Sequence, residues 1–208
     1  MFHVITPLAR FENVEKLINV LEPKNIQWHV LIDQGYSHDN IKYLTDKSWI
    51  KVYYCPNDGV VFYERCNKSI NWFIETQQII DNEMYCILND DDAYEPEFFT
   101  KIKASIQKTG SPIIITSMER GHAIPESAVG CRAHPPTKLW GYPENVRENA
   151  IGVEQIIIKG ELLKKYRIPT APSGDGMFIV KAVRENGAAF CSEADVWFNY
   201  FEPGRWNV

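Results

Sequence analysis

The most informative stretch of the chain is Met84-Tyr-Cys-Ile-Leu-Asn-Asp-Asp-Asp-Ala-Tyr-Glu-Pro-Glu-Phe-Phe99. Its apolar beginning predicts a buried strand, which runs directly into the carboxylates Asp90, Asp91 and Asp92. Adjacent anions repel one another, so such a cluster is stabilised by a cation or by strong hydrogen bonds unless all three side chains point into water. Because carboxylate oxygens suit Mg²⁺ and Mn²⁺, the stretch predicts a divalent-cation site where a sheet ends, with a solvated acidic turn as the alternative.

The composition is that of a globular protein with a substantial apolar core. The 208 residues are 45% hydrophobic and fit one domain, residues 1–208. No apolar run approaches the roughly 20 residues of a membrane span, so we expect a soluble, cytoplasmic protein without membrane contact. The net charge of −5 argues against a general polyanion-binding surface. Five widely spaced cysteines without a Cys-x-x-Cys pair predict free thiols rather than a zinc or redox site.

Short apolar runs alternate with helical patterns along the chain. This alternation predicts an α/β fold, an open and mostly parallel sheet flanked by helices. The predicted strands are residues 3–6, 28–32, 50–55, 84–88, 112–116, 154–158 and 188–201. The predicted helices are residues 12–21, 39–45, a helix capped by Asn67, and residues 97–107, 160–166 and 175–185.

Four short motifs, in this order, resemble those of the GT-A fold nucleotide-sugar glycosyltransferases, whose sheet is Rossmann-like, open and mixed. Ile5-Thr-Pro-Leu-Ala-Arg10 resembles the first-strand turn of the animal glucuronyltransferases, and Trp28-His-Val-Leu-Ile-Asp33 resembles the second strand of family 2 enzymes. The segment from Asn57-Asp-Gly59 to Glu64-Arg-Cys-Asn67 is similar to the approach of those enzymes to the diphosphate helix. Leu88-Asn-Asp-Asp-Asp92 lies where they carry the Asp-x-Asp motif.

The resemblance implies a division of labour along the chain. Residues 1–118 would bind the nucleotide sugar, and residues 119–208 would bind the acceptor and carry out catalysis. Pro7 also suits a strand end, Asp33 a turn and Asn67 a helix cap, so each has a purely structural alternative. The implied nucleotide-sugar-binding residues are Thr6, Pro7, Arg10, Asp33, Arg65, Asn67, Asp90 and Asp91.

The resemblance also implies a metal ion, Mn²⁺ or Mg²⁺, that bridges the two phosphates of the donor. Asp92 would be its direct ligand, with Asp91 as the alternative because the alignment is uncertain by one residue. Many relatives supply a late His as a further ligand. Residues 198–208 contain none, so Asn199, Glu202 or water would take that place.

An inverting transfer requires a base opposite the leaving group. Ser173-Gly-Asp-Gly-Met-Phe178 resembles the place where these enzymes present that acid, so Asp175 is the predicted base, with a helix cap as the alternative.

Acceptor selection is expected in the irregular segment 119–152, which is rich in Gly, Pro, His and Arg, including His122, Arg132 and His134. Trp140 and Tyr142 would stack on a sugar ring or a base, or else pin the loop to the core. Glu154 lies where family members hold the acceptor or the donor sugar. The acceptors that fit are a small glycoside, a protein or a modified DNA base.

The function implied by the resemblance is a metal-dependent, inverting glycosyltransferase that moves a sugar from a UDP-type donor to an acceptor hydroxyl. A nucleotidyltransferase or metal-dependent phosphoester enzyme is the first alternative, because clustered Asp residues serve that chemistry too. A catalytically inactive nucleotide-sugar-binding module is the second. The sequence has no GxGxxG or Walker A loop, which argues against a dehydrogenase or an NTPase.

Overall fold

The structure, a computed structural model, describes residues 1–22, 25–34, 42–56, 62–120, 137–171, 173–198 and 201. The strands in these ranges are β1 Phe2–Leu8, β2 Ile26–Asp33, β3 Ile50–Cys55, β4 Met84–Ile87, β5 Ala93–Tyr94, β6 Ile113–Arg120, β7 Thr137–Leu139, β8 Ile156–Lys159 and β9 Ala189–Phe198. The α-helices are α1 Val14–Leu21, α2 Lys42–Thr45, α3 Phe62–Thr76, α4 Phe98–Thr109, α5 Gly160–Leu163 and α6 Gly174–Asn186.

The strands form one sheet in the order β3-β2-β1-β4-β8-β6-β9-β5, and β7 pairs with β6. Strands β3, β2, β1 and β4 are parallel, whereas β8 is antiparallel to both of its neighbours, β4 and β6. Strand β9 runs parallel to β6, and the short strands β5 and β7 are antiparallel to their partners. The predicted α/β fold, a mixed and mostly parallel sheet flanked by helices, is confirmed.

Apolar side chains cover both faces of the sheet. Val4 and Ile5 are both fully buried but belong to different core clusters, because neighbouring residues of a strand point to opposite faces. The cluster of Val4 includes residues of α1 and α4, and the cluster of Ile5 includes residues of α3, α5 and α6. Helices on both faces explain why the central strands read as nearly continuous apolar runs. Among the described helices, none has the length and apolar character needed to cross a membrane.

Several boundaries differ from the predicted ones. Helix α3 begins at Phe62, so Asn67 lies inside this helix and the prediction that it caps the helix was wrong. Residues 153–155 form a 3-10 helix rather than the start of a strand, and strand β8 begins at Ile156. Strands β5 and β7 were not predicted, because two or three residues are too few to show an alternating pattern. The predicted helical residues 39–41 lie outside the described part of the chain.

Two buried histidines, His3 on β1 and His29 on β2, contact each other away from the carboxyl ends of the strands. His3 Nδ1 lies 2.8 Å from His29 Nε2, and His29 Nδ1 lies 3.2 Å from the Tyr53 hydroxyl. His3 Nε2 contacts the Glu83 carboxylate. Burial lowers the pKa of His29 to about 3, and it also lowers the pKa of His3, although Glu83 opposes that shift. Both imidazoles are therefore favoured in their neutral form in the folded protein.

The first prediction concerns the pH dependence of stability. Because the folded pKa of His29 lies below the unfolded value of about 6.5, its stabilising effect is present above pH 6.5 and is lost as the pH falls. The free energy of unfolding of wild type should fall between pH 8 and pH 5, and in His29→Gln this fall should be smaller by about 2 kcal/mol. Urea unfolding at each pH measures the free energy. Ile5→Val is a matched control, because it destabilises the core without removing a titrating group. An equal pH slope in wild type and His29→Gln would contradict this assignment.

Candidate functional site

The carboxyl ends of β1 and β4 meet at the point where the strand order reverses. From β1 the chain adds β2 and β3 on one side, and β4 then pairs on the other side of β1. The backbone N–H of Leu88 donates to the carbonyl of Ile5 at 3.0 Å, so the residues after β4 lie beside the end of β1. In open α/β sheets, ligands bind in the crevice at such a reversal. The acidic triplet therefore lies where this fold places a ligand.

Asp90 ties the loop after β1 to the end of β4. Its carboxylate accepts hydrogen bonds from the backbone N–H groups of Ala9 and Arg10, both at 2.6 Å, and contacts the Arg10 guanidinium. Its backbone carbonyl accepts a bond from Asn13 Nδ2 at 3.1 Å. Asp90 is 1% exposed, so its carboxylate is directed at the protein's own donors.

Arg10 joins Asp90 to Asp91. Its Nη1 contacts Asp90, and its Nη2 lies 3.2 Å from Asp91 Oδ2. Burial raises the pKa of Asp91 to about 6, and the neighbouring Asp90 charge adds to this shift while Arg10 opposes it. The charged form of Asp91 is thus poorly solvated, so a cation close to it would be stabilising.

Asn89 connects the triplet to Glu154. The backbone N–H of Asp92 donates to the Asn89 carbonyl at 3.2 Å and closes a turn in which Asp92 is fully buried. The Asn89 side-chain amide contacts the Glu154 carboxylate. Glu154 belongs to the 3-10 helix Val153–Gln155. The side chain of Gln155 holds this helix in place by donating to the Thr116 carbonyl at 2.9 Å. Glu154 therefore lies beside the end of β4, as its predicted role requires.

The Ser173-Gly-Asp-Gly motif packs tightly at the start of α6. A Cβ atom on Gly174 would lie 1.9 Å from the Pro169 carbonyl oxygen, and one on Gly176 would lie 1.9 Å from the Glu148 carbonyl oxygen. Both positions thus require glycine. Asn67 contributes to this packing, because its Nδ2 donates to the Pro169 carbonyl at 3.1 Å. The hydrogen bond of Asn67 therefore supports the turn that precedes Asp175.

Asp175 lies close to Val153, the residue before Glu154. Its Oδ1 accepts a hydrogen bond from Gly176 N–H at 2.8 Å, and the backbone N–H of Val153 is near enough to its carboxylate to favour the charged form. Burial raises the pKa of Asp175, and these backbone donors oppose the shift. A continuous series of contacts thus runs from the acidic triplet through Asn89, Glu154 and Val153 to the predicted base.

A second group of predicted residues gathers at the ends of β1 and β2. Arg65 Nη1 lies 3.0 Å from Asp33 Oδ2. Both residues line a cavity of about 10 Å³, which has room for about one water molecule. Thr6 is fully buried, and its hydroxyl accepts a hydrogen bond from Trp28 Nε1 at 2.9 Å. The remaining lining residues of this cavity are Pro7, Leu8, Ala9, Leu31, Cys66 and Ser69.

Trp140 and Tyr142 form an exposed aromatic pair. Their side chains are 43% and 40% exposed, and their ring planes lie 8° from parallel with centroids 5.8 Å apart. Lys138 Nζ lies 4.4 Å from the centre of the Trp140 ring. Gly141 N–H donates to Ser117 Oγ at 2.9 Å and holds the pair against β6. Residues 121–136, with His122, Arg132 and His134, lie outside the described part of the chain.

The donor set for a metal ion consists of carboxylates at the end of β4. Within the described ranges, no three His, Cys, Asp or Glu side chains converge as a complete set of protein ligands. Asp91 and Asp92 supply hard oxygen atoms, which fit Mg²⁺ or Mn²⁺ if further ligands come from a bound diphosphate. Asn199 and Glu202, the predicted substitutes for a late His, lie outside the described residues.

Sequence reasoning missed the roles of three residues at this site, and it considered Asn89 only as a counterpart of the first acid of the Asp-x-Asp motif. Asn13 binds the backbone carbonyl of Asp90, Asn89 contacts Glu154, and Cys66 lines the cavity near Asp33. Burial raises the pKa of the Cys66 thiol to about 12, and the nearby Asp90, Asp91 and Asp33 add to this shift. The position of Asn89 directly before the triplet could have indicated a role at the site. A lone Asn or Cys within a helix pattern, such as Asn13 or Cys66, gives no such indication.

No protein-family profile matches the chain, and no curated protein matches its sequence. Solved structures do match: S. aureus TarS 1-349 aligns with a TM-score of 0.67 and 19% identity, over 94% of this chain and 59% of that chain. The same protein in complex with UDP gives a TM-score of 0.64 at 18% identity, over 94% and 60% of the two chains. Its complex with UDP-GlcNAc gives 0.62 at 18%, over 94% and 58%. This chain spans less than two thirds of the length of these neighbours and shares their fold.

Proposed function

We propose that the protein is a glycosyltransferase that moves a sugar from a UDP-type nucleotide donor to an acceptor hydroxyl with inversion. The observation that carries this proposal is the series of contacts from the acidic triplet through Asn89, Glu154 and Val153 to Asp175. This series links the residues of the predicted donor side to the predicted base. Support also comes from the shared fold with S. aureus TarS, a protein solved with UDP and with UDP-GlcNAc.

The nucleotide would lie across the ends of β1 and β2. Asp33 offers a carboxylate to donors of a base or ribose, and Arg65 beside it offers a guanidinium to a phosphate. Because their cavity has room for about one water molecule, the base would lie over Pro7 and Asp33 rather than inside the cavity. Thr6 is fully buried and binds Trp28, so it would support the neighbouring Pro7 rather than contact the nucleotide directly.

We further propose that Asp92 or Asp91 holds a Mn²⁺ or Mg²⁺ ion. Exposure favours Asp91, whose side chain is 9% exposed, over Asp92, which is fully buried. When bound, such an ion neutralises the charge that develops on the leaving diphosphate. Asp90 would act by holding the Ala9–Arg10 backbone in place.

Asp175 is proposed as the general base that takes the proton of the attacking hydroxyl. Its raised pKa suits this role, because a base works best when its pKa approaches the working pH. Glu154, held by Asn89, would accept a hydrogen bond from a hydroxyl of the donor sugar or the acceptor. Trp140 and Tyr142 would stack on the acceptor, for which a small glycoside, a protein and a modified DNA base all stay open.

The second prediction separates donor binding from chemistry. Asp175→Asn should leave UDP affinity within about twofold while lowering hydrolysis or transfer of a UDP-sugar at least about a hundredfold, because the base acts only in the chemical step. Calorimetry measures the affinity, and UDP release from a panel of UDP-sugars measures turnover. Asp81→Asn, at an exposed carboxylate paired with Lys164, is the matched control. Retained turnover in Asp175→Asn would contradict the assignment of the base.

The third prediction concerns the cation. Wild type should bind UDP more tightly with Mn²⁺ than with EDTA, and Asp91→Asn should reduce that gain at least about tenfold, because the ion would lose a protein ligand. Calorimetry with Asp91→Asn, Asp92→Asn and the Asp81→Asn control compares the two candidate ligands. A full Mn²⁺ effect in both triplet variants would refute the assignment. UDP binding without turnover of any UDP-sugar would favour an inactive binding module, and consumption of nucleoside triphosphates would favour a nucleotidyltransferase.

A further inference from the structure

The Arg10 guanidinium lies against the carboxylate of Asp91, one of the two proposed metal ligands. Arg10 reaches Asp90 with Nη1 and Asp91 with Nη2, the latter at 3.2 Å, and its side chain is 18% exposed. Both carboxylates are at least nine-tenths buried, with side-chain exposures of 1% and 9%. A forked guanidinium between two carboxylates supplies a positive charge to both at once. In the free protein, Arg10 therefore does part of what a divalent cation would do.

The two contacts of Arg10 differ in how firmly they are fixed. The Asp90 carboxylate also accepts the backbone N–H groups of Ala9 and Arg10, both at 2.6 Å, so this partner is held by several bonds. The ion pair with Asp91 is longer, at 3.2 Å. The backbone bonds of the loop go to Asp90 and not to Asp91. Asp91 is thus the partner that Arg10 can release.

We propose that Arg10 and a divalent cation exchange places at Asp91, and that the diphosphate of the donor drives the exchange. The guanidinium holds Asp91 in the free protein, then turns to the phosphate oxygens when the donor binds and opens Asp91 to the metal. This proposal rests on the proposed function, because it assumes a diphosphate at the end of β1. It adds an order of binding, in which the nucleotide precedes or accompanies the metal.

Electrostatics makes this order favourable. A divalent cation placed at Asp91 beside an unmoved guanidinium would bring like charges close together in a poorly solvated site. Within the described residues no three His, Cys, Asp or Glu side chains form a complete metal site, so phosphate oxygens would add ligands that water alone supplies when no nucleotide is bound. Guanidinium groups pair well with phosphate, which gives Arg10 an alternative partner at the moment when the metal arrives. By linkage, nucleotide and metal must strengthen each other's binding by the same factor.

The fourth prediction tests the exchange through metal binding itself. The electron paramagnetic resonance signal of free Mn²⁺ is titrated with wild type, Arg10→Gln, Arg10→Lys and the control Arg167→Gln, each with and without UDP at constant pH. Without UDP, Arg10→Gln should bind Mn²⁺ at least about tenfold more tightly than wild type, because the competing charge is gone. Arg10→Lys should stay close to wild type, since it keeps the charge. Arg167 pairs with Glu75 on the surface, so Arg167→Gln should match wild type.

UDP should raise the Mn²⁺ affinity of wild type at least about tenfold, and this gain should shrink in Arg10→Gln. Unchanged or weaker binding of Mn²⁺ alone by a folded Arg10→Gln, as judged by circular dichroism, would overturn the exchange. A wild type that binds UDP but gains no Mn²⁺ affinity from it would also overturn it, and this arm does not depend on any variant folding. Absence of UDP binding to wild type under all conditions would instead refute the proposed function, whereas the comparison with Mn²⁺ alone still tests the competition at Asp91.

Discussion

The hydrogen bonds that the Asp90 carboxylate accepts from the backbone of Ala9 and Arg10 set the geometry of the site. This carboxylate receives two backbone N–H groups from the loop after β1, so it fixes the geometry of the crevice between β1 and β4. Such bonds to a charged acceptor are short and stronger than neutral ones, which suits a carboxylate that is almost fully removed from water. Asn13, at the start of α1, extends the same tie through the Asp90 carbonyl. Arg10 and Asp91 then take positions that follow from this anchor.

The sequence predicted the order of the elements well, because that order depends on local patterns. The runs that became β2, β3 and β4 are apolar over several residues, and the acidic triplet marks the end of β4 without ambiguity. The reversal of strand order beside β1 follows from the general rules for α/β sheets. The motif around Asp175 could be placed for a similar reason, since two glycines around an acid before a helix pattern form a local signal.

The direction of each side chain could not be predicted, because it depends on contacts between distant parts of the chain. Three adjacent carboxylates look alike in the sequence, yet Asp90 faces the loop after β1, Asp91 faces Arg10 and Asp92 is fully buried. The prediction that Asn67 caps its helix was wrong, and its hydrogen-bond partner, Pro169, lies about a hundred residues away. His3 and His29 sit in apolar strands, and the partners that explain them lie on other strands and at Glu83.

Burial acts in opposite directions on the acids of the site and on the histidines of the sheet. The raised pKa of Asp91 means that its contribution to stability is present below the unfolded value and is lost as the pH rises through about 6. The lowered pKa of His29 means that its contribution is lost as the pH falls below about 6.5. The two effects therefore oppose each other between roughly pH 4 and 6. As the pH rises through this range, the contribution of Asp91 to the free energy of unfolding falls, whereas that of His29 grows. Asp90 and Asp91 are both buried, and buried carboxylates need a partner. Arg10 is that partner in this structure, and by our proposal a metal ion replaces it at Asp91 when the donor is bound.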